Sequence, residues 1–430
     1  MGEVDRAIDC GERVLKTLHP ESNSMRGQTA AVLSLAYQAR GDIDLALKTI
    51  QDTMDNYSVA NHIIQTKMLI SLCGINWLEG NIPGMKQPAH ELLRLGEECN
   101  LSESSSFGRY FLGCYHYIHN ELAQSESQFK VVVENRYLAR QHYYAQCAFG
   151  LASCYVAQGN NNQARQEVET VIEYTFETNN TWLREIANVF CTELDLRLNQ
   201  GIEAFNWTKV ADQSFFTPMY VFYMPKLTAV RAMLACNTTE SLKTATSLLE
   251  HLHHITVSTH NIRIQIDVLA LQALLHEVQG EQTAAFEKLS ESLALAEPGG
   301  FIRNYVDLGP KMADLLTQLQ SQVIAEQSQT SAYISRVLAA FPEADRAAPP
   351  GEPTSIGSAN LPNQTGLSEP LTKRELQTLK YLATDLSPQE IATEIYVSTA
   401  TVRTHTKNIY SKLNVHSRLQ AVRRAKDLGL

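Results

Sequence analysis

Three features are scarce in this 430-residue sequence, and each scarcity excludes a kind of protein. Apolar runs are short: one of the longest, Val268–Leu275, falls far below the ~18 residues of a membrane span. The eight cysteines form no CxxC pair, so we predict buried thiols and neither a disulfide framework nor a metal site. The phosphate-binding pattern GxxxxGK[ST] is also missing, and the sequence therefore assigns no nucleotide or other cofactor.

The first residues, MGEVDRAIDCGERV, are acidic and amphipathic and do not resemble a secretory signal, so we expect a cytoplasmic protein.

Charge is divided unevenly along the chain. The last sixty residues, Leu371–Leu430, hold ten Lys and Arg against five Asp and Glu, a balance of +5. The other 370 residues hold 26 basic and 41 acidic side chains, a balance of −15. An acidic body with a basic tail is compatible with a tail that binds a polyanion.

A short turn signal recurs along most of the chain, after an apolar helical stretch and before a second one. Its first five occurrences are spaced by 39 to 42 residues, and the last follows 79 residues later, with a weak signal between. The signals lie at Gly41, Gly80, Asn120, Gly159, Gly201, Asn237 and Gly280. A period near 40 predicts a solenoid of helix pairs, longer than the 34-residue tetratricopeptide repeat but similar to it. We expect at least six helix pairs and no sizeable β-sheet in residues 1–341.

One period back from Gly41 lies Gly2, so the sequence predicts a chain that begins between the two helices of a unit. Either this is the C-terminal part of a longer protein or its start site is misassigned.

After Phe341 the sequence becomes rich in Pro, Gly, Ser and Asn. This composition predicts a flexible, protease-sensitive linker over residues 342–369, followed by a second domain over residues 370–430.

Four short helices are predicted in the last sixty residues. Thr372 with Glu375 forms a capping-box pattern, and Ser387-Pro388-Gln389-Glu390 starts a second helix. A third helix runs from Thr399 to about Leu413 after a tight turn, and a fourth starts near Ser417 and ends before Gly429. Two short helices separated by a turn of three to four residues are typical of the helix-turn-helix motif.

The predicted third helix has an apolar face and a polar face. Val402, Ile409 and Leu413 point to the core, whereas Arg403 and Lys407 lie on the other side. Arg and Lys are the side chains that best reach the two acceptors of guanine in the major groove, and a Thr can contact the thymine methyl. Hence we predict base contacts by Arg403, Thr404 and Lys407 and phosphate contacts by Thr399, Thr401 and Lys412. A solvated surface on a small helical bundle explains the same pattern equally well.

The whole segment Leu371–Leu430 resembles the LuxR-type DNA-binding domain. The matching elements are LTxRE, LSxxEIA, VSxxTVRxH, NIYxKL and the terminal LGL. The resemblance implies that Arg403, Thr404 and Lys407 face the bases, and that the fourth helix forms a homodimer on a two-fold operator. The residues on one face of that helix are Ala421, Ala425 and Leu428. One departure is Asp385, where the family usually has Gly, but Asp tolerates the left-handed conformation better than most residues.

The segment Leu289–Leu316 is similar to the last repeat of the MalT-like subgroup of large LuxR-type regulators. Members of that subgroup join a nucleotide-hydrolysing switch, a superhelical sensor and a DNA-binding domain. Because the phosphate loop is missing here, the resemblance covers the sensor and the output domain only.

Two other clusters, one of histidines and one of aromatic residues, have simpler explanations than a binding site. His251, His253, His254 and His260 have spacings that scatter their rings, so solvated histidines are favoured over a metal site. Aromatic residues crowd the segment Phe205–Met224, and a groove for a small inducer is one interpretation of them. The candidate groove residues are Trp207, Phe216, Tyr220 and Tyr223. Core packing is the favoured explanation, and the same holds for the tyrosines at positions 137, 143, 144 and 155.

Together these patterns predict an all-α protein, a tetratricopeptide-like superhelix followed by a four-helix LuxR-type domain. We expect a non-enzymatic transcription regulator, with activation favoured as its mode, that binds double-stranded DNA as a homodimer. The repeats would sense a small molecule or a protein, RNA polymerase is a further candidate partner, and no membrane is involved. The alternative is an interaction scaffold whose tail no longer binds DNA.

Overall fold

The computed structural model describes the chain in ten segments. They are residues 2–19, 22–57, 62–198, 221–323, 329–343, 371–384, 386–394, 399–413, 415 and 418–427. The predicted linker, apart from its first two residues, therefore lies outside the described residues, and both domain boundaries stay predictions. The chain divides into two compact units, a large one of repeats and a small one that contains the last four helices.

The described residues form helices and contain no β-strand, which confirms the predicted all-α class. The repeat unit has seventeen α-helices in the described segments: α1 Gly2–Thr17, α2 Asn23–Arg40, α3 Ile43–Tyr57, α4 His62–Leu78, α5 Ile82–Glu98, α6 Ser102–Ile118, α7 Leu122–Glu134, α8 Gln141–Ala157, α9 Asn161–Glu177, α10 Thr181–Arg197, α11 Pro225–Cys236, α12 Thr239–Ser258, α13 Ile262–Gln279, α14 Gln282–Ala296, α15 Arg303–Val306, α16 Pro310–Val323 and α17 Gln329–Ala339. None of the described helices combines the length and the apolar character that crossing a membrane requires.

The predicted turn signals mark the turns inside the helix pairs. Six of the seven signal residues have a positive φ, between 49° and 92°, and these are Gly41, Gly80, Asn120, Gly159, Asn237 and Gly280. The seventh, Gly201, lies outside the described residues. Gly and Asn occupy these positions because other side chains are strained in the left-handed region. Six complete pairs are described, from α2 with α3 to α13 with α14, as the periodicity predicted.

Close packing between helix pairs depends on small residues that face large ones. Phe129 of α7 is fully buried between Gly113 of α6 and Gly150 of α8. A Cβ atom at either glycine would overlap the Phe129 ring, so the three helices approach each other only with glycine at these positions.

The first helix of each pair is the more deeply buried one. Helix α8, for example, is buried along Tyr144–Tyr155, because neighbouring helices cover it on several sides.

Contacts also join repeats that are distant in sequence. The buried Gln38 side chain donates through Nε2 to Glu79 Oε1 at 2.8 Å and to the His260 carbonyl at 2.9 Å, across 222 residues. The Ile302 amide donates to the Ile118 carbonyl at 2.9 Å. Stacking of each repeat on its neighbours is therefore supplemented by hydrogen bonds between early and late repeats.

The small unit contains α18 Lys373–Leu382, α19 Pro388–Glu394, α20 Thr399–Leu413 and α21 Arg418–Asp427. These bounds match the four helices predicted from the capping signals. The apolar side chains of all four helices share one core, built of Leu371, Leu379, Leu382, Ile391, Ala392, Val402, Ile409, Leu413, Ala421 and Ala425. This four-helix arrangement confirms the helix-turn-helix fold.

Candidate nucleic-acid interface

Helix α20 has two faces with opposite environments. Val402, Ile409 and Leu413 are at most 3 % exposed and pack in the common core, which fixes the orientation of the helix. Arg403, Thr404 and Lys407 are all exposed on the other face. A helix whose inner face is held in place presents its outer cations at fixed positions, as reading base edges in the major groove requires.

The start of α18 is held by a reciprocal cap. The Thr372 hydroxyl accepts from the Glu375 amide at 3.2 Å, and the Thr372 amide donates to Glu375 Oε2 at 2.8 Å. The same carboxylate oxygen accepts from Lys412 Nζ of α20 at 2.9 Å. Burial alone would raise the pKa of Glu375, but the hydrogen bonds from Lys412 and Thr372 lower it below its ordinary value. Glu375 therefore stays ionised and ties α18 to the C-terminal end of α20.

The end of α18 is held by a second cation that the sequence reasoning missed. Arg418, at the start of α21, donates through Nε to the Leu382 carbonyl at 2.9 Å and through Nη2 to the Thr384 carbonyl at 2.7 Å. These carbonyls have no intrahelical partner, and a guanidinium at a helix C-terminus also interacts favourably with the helix dipole. The signal that could have found this contact is a lone Arg directly after the predicted N-cap of the fourth helix.

The residues predicted to contact phosphates all belong to α20, and their contacts with DNA stay predictions. Thr399 begins α20 and Thr401 is half-buried on its first turn. Lys412 is also on α20, but its ammonium group is engaged by Glu375, so phosphate contact by this residue stays a prediction.

The predicted dimer contacts stay a prediction, and the structure describes two of the three residues. Ala421 and Ala425 of α21 are 0 % and 6 % exposed and pack inside the domain's own core, so their side chains offer almost no surface to a second copy. Leu428 lies outside the described residues. A dimer through α21 would have to use the other side of the helix, where Arg423 and Arg424 are exposed. Helical periodicity identified an apolar face of α21 but could not distinguish a core face from an interface.

The candidate inducer groove is described at one residue only. Tyr223 is buried, its amide donates to Gln146 Oε1 at 2.8 Å, and its hydroxyl lies 2.9 Å from Thr228 Oγ1. Its ring packs edge-on against Phe149 and Phe190, at centroid distances of 5.3 Å and 4.7 Å. Trp207, Phe216 and Tyr220 lie outside the described residues.

The other clusters behave mainly as core or surface residues. Tyr144 and Tyr155 are buried in α8, whereas Tyr137 is exposed. His251 and His254 lie exposed on α12, and His260 has a positive φ in the turn after it. In the described part of the chain, no three His, Cys, Asp or Glu side chains converge in a way that could hold a metal ion.

Family comparisons agree with both units. Residues 369–425 match the family of bacterial regulatory proteins of the luxR type, which defines the small unit as a LuxR-type DNA-binding domain. Residues 1–322, about three quarters of the chain, match the MalT-like TPR region. The chain therefore belongs to the MalT-like family, with a repeat region followed by a luxR-family domain.

Curated relatives show the same relationship over part of their length. A protein of Vibrio cholerae serotype O1 named HTH-type transcriptional regulator MalT is 31 % identical over 163 residues, which are 37 % of this chain and 18 % of that protein. A protein of the same name from Klebsiella pneumoniae is 27 % identical over 293 residues, 66 % of this chain and 32 % of the relative. The chain thus spans no more than about a third of the length of these relatives.

Proposed function

We propose that this chain is the sensor and output part of a transcription regulator. The C-terminal domain would bind a two-fold DNA operator, and the repeat unit would receive the signal, a small molecule or a protein. The observation that supports this most is the placement of Arg403, Thr404 and Lys407 on the exposed face of a helix whose other face is locked in the core. The curated relatives are named as transcriptional regulators.

Three finer points belong to the same proposal. We infer that two copies meet on the operator through the exposed side of α21. Activation, with RNA polymerase as a contact, is the mode we favour. Thr399, Thr401 and Lys412 are the candidate phosphate ligands, while Lys412 also holds Glu375.

The test is fluorescence anisotropy of the whole chain on an operator selected from random DNA, at several salt concentrations. Arg403→Ala should cost about 1–3 kcal/mol of specific binding and relax the preference at one base pair in each half-site, because Arg pairs bidentately with guanine. Thr401→Ala should weaken binding to all sequences alike. The exposed Lys311 of the repeat unit, changed to Ala, is the matched control and should leave binding unchanged.

Two outcomes would count against the proposal. If Arg403→Ala and Lys407→Ala keep the wild-type ratio of specific to random binding, the assignment of the base-reading face is wrong. If the wild-type chain has no salt-dependent affinity for DNA, the scaffold interpretation becomes the better one, because phosphate contacts always produce salt dependence.

A further inference from the structure

A small cavity inside the repeat unit is bordered by buried ion pairs. It has a volume of about 90 Å³ and lies between α6, α10, α11, α13 and α15. The charged side chains that line it, among the described residues, are three arginines and three carboxylates: Arg197, Arg231, Arg263, Glu193, Asp267 and Asp307. The other lining residues include apolar side chains such as Phe222 and Leu271 and the polar Thr228 and Asn304. Buried charges around a cavity are unusual, because each one loses its hydration on folding.

On one side of the cavity the charged groups form a connected network. Arg197 donates to Glu193 Oε1 at 2.8 Å and contacts Asp307 Oδ2 at 3.1 Å. Arg231 also pairs with Glu193 and donates to the Asp307 carbonyl at 2.9 Å. Arg303, which is not a lining residue, pairs with the second oxygen of Asp307. Every side chain in this network is at most 14 % exposed.

The charges in this network do not balance. Burial raises the pKa values of Glu193 and Asp307, but the neighbouring arginines lower them below their ordinary values, so both carboxylates are ionised at neutral pH. Burial raises the pKa of Tyr117, whose hydroxyl donates to Asp307, to about 12, and this phenol is neutral. Three guanidinium groups therefore face two carboxylates. Among the residues that the structure describes, no third carboxylate bonds to these arginines, and the network carries a charge of +1.

The remaining ion pair at the cavity is neutral but has an unused donor. Arg263 pairs with Asp267 at 2.5 Å, and Asn304 donates to the other oxygen of Asp267, also at 2.5 Å. The Arg263 side chain is only 8 % exposed, and its Nε is buried without a hydrogen-bond partner in the described residues. The Nε of Arg303 is likewise unpartnered. A buried N–H of a charged group is rarely left unbonded.

We propose that this cavity binds a small organic monoanion, a carboxylate of about two to four carbon atoms. The ligand's negative charge would neutralise the excess guanidinium, and its alkyl part would pack on Phe222 and Leu271. The volume is below the ~150 Å³ of an engineered cavity that holds benzene, so the ligand is small. That such an anion acts as the sensed signal rests on the proposed function; its binding does not.

The test is isothermal titration calorimetry of the whole chain with sodium acetate, propionate and lactate. The comparison ligands are sodium chloride and sodium phosphate at equal ionic strength, and acetamide as the neutral analogue of acetate. Saturable binding of at least one carboxylate, stronger than that of chloride and lost with acetamide, is the expected result. Tighter binding of phosphate than of every carboxylate would overturn the ligand class, and equal binding of acetate and acetamide would overturn the role of charge.

Two variants should change the carboxylate affinity in opposite directions. Misfolding would lower the affinity of both, so it cannot produce this result. Arg231→Gln brings the network to zero charge and should weaken carboxylate binding by about tenfold or more, because a charge-assisted hydrogen bond is lost. Asp307→Asn raises the charge to +2 and should strengthen binding. Arg165→Gln, which removes a partly buried arginine paired with Asp195 away from the cavity, is the matched control. Wild-type affinity in both Arg231→Gln and Asp307→Asn would refute the proposal.

Operator binding is measured on the same samples. Carboxylate binding by a chain that does not bind the operator would contradict the proposed function and support the site. Operator binding by a chain that shows no carboxylate binding would refute the site alone.

Discussion

In the repeat unit, arginines and carboxylates lie inside, bonded to each other around a cavity, whereas the C-terminal domain keeps most of its cations at the surface. Among the described residues of the small domain, the buried polar side chains are Glu375, which pairs with the half-buried Lys412, and Thr378. This difference in the placement of charged side chains follows from the ligand proposed for each unit. A surface that binds a polyanion needs exposed cations, while a small buried ligand is selected by charges that water does not screen.

The largest expected effect comes from unbalancing the interior network. Glu193→Ala leaves Arg197 and Arg231 buried without their shared carboxylate and should lower the free energy of unfolding of the repeat unit by about 3–5 kcal/mol. All three tryptophans, at positions 77, 182 and 207, precede residue 342, so urea unfolding followed by tryptophan fluorescence reports on this unit alone.

A surface pair supplies the control for that measurement. Glu91→Ala removes a partner of Arg94 in an exposed pair on α5 and should change stability by no more than about 1 kcal/mol. A similar small loss in Glu193→Ala would mean that the interior network is not a stabilising feature.

The second effect concerns the apolar core of the small domain. Ile409→Ala should destabilise this domain by about 2–5 kcal/mol, because the cavity it leaves lies under the recognition face. We expect DNA binding to fall while the tryptophan transition of the repeats stays at the wild-type urea concentration. The exposed neighbour Asn408→Ala is the control. A joint shift of both measurements would show that the two units do not unfold independently.

A smaller effect should follow from the ion pair between Lys412 and Glu375 in the small domain. Lys412→Met leaves the Glu375 carboxylate, 4 % exposed, without its cation and should cost about 1–3 kcal/mol. Faster hydrogen exchange of α18 and α20 amides would measure this loss, and Lys412→Arg should restore protection. If Lys412→Met changes only the salt dependence of DNA binding and not the exchange rates, phosphate contact is its main role.

The smallest expected effect is the change in stability of the repeat unit with pH. Glu193 and Asp307 have folded-state pKa values below their ordinary ones, so their contribution to stability is complete above those ordinary values and is lost as the pH falls through the folded ones. The tryptophan transition should therefore shift to lower urea as the pH falls below about 4.5, where these two carboxylates become protonated. In Glu193→Gln this acid shift should be reduced. An equal acid shift in wild type and Glu193→Gln would exclude Glu193 as its source.

Much of the fold could be predicted because its signals are local. Gly41, Gly80 and Gly280 end helices in the left-handed conformation, and each is recognisable from its own neighbours in the sequence. The caps at Thr372 and Ser387 are local in the same way, and both form as predicted. The exposure of Arg403 and Lys407 on α20 could be predicted from helical spacing, because they lie opposite the apolar core face.

The interior network could not be predicted, because its members come from parts of the chain that periodicity does not connect. Glu193 and Arg231 are on different helices, and Asp307 follows α15 much later in the sequence. A charged residue within a helical pattern is normally interpreted as solvent-exposed, so Arg197 looks like any surface arginine until the tertiary fold is known. The same ambiguity applies to Ala421 and Ala425, because their helical spacing fits a core face and a dimer face equally well.

The hydrogen bonds from Gln38 to Glu79 and to the carbonyl of His260 also bear on how the chain folds. In a simple solenoid each repeat is stabilised by contacts with its neighbour as soon as both have formed, so folding can spread from any point. Here the second of these bonds is made only after a loop of 222 residues has closed. The entropy of that closure opposes the contact, so in this repeat unit the bond to His260 costs more to form than the bonds between neighbouring repeats. Its early repeats complete their hydrogen bonding only once the late ones have folded.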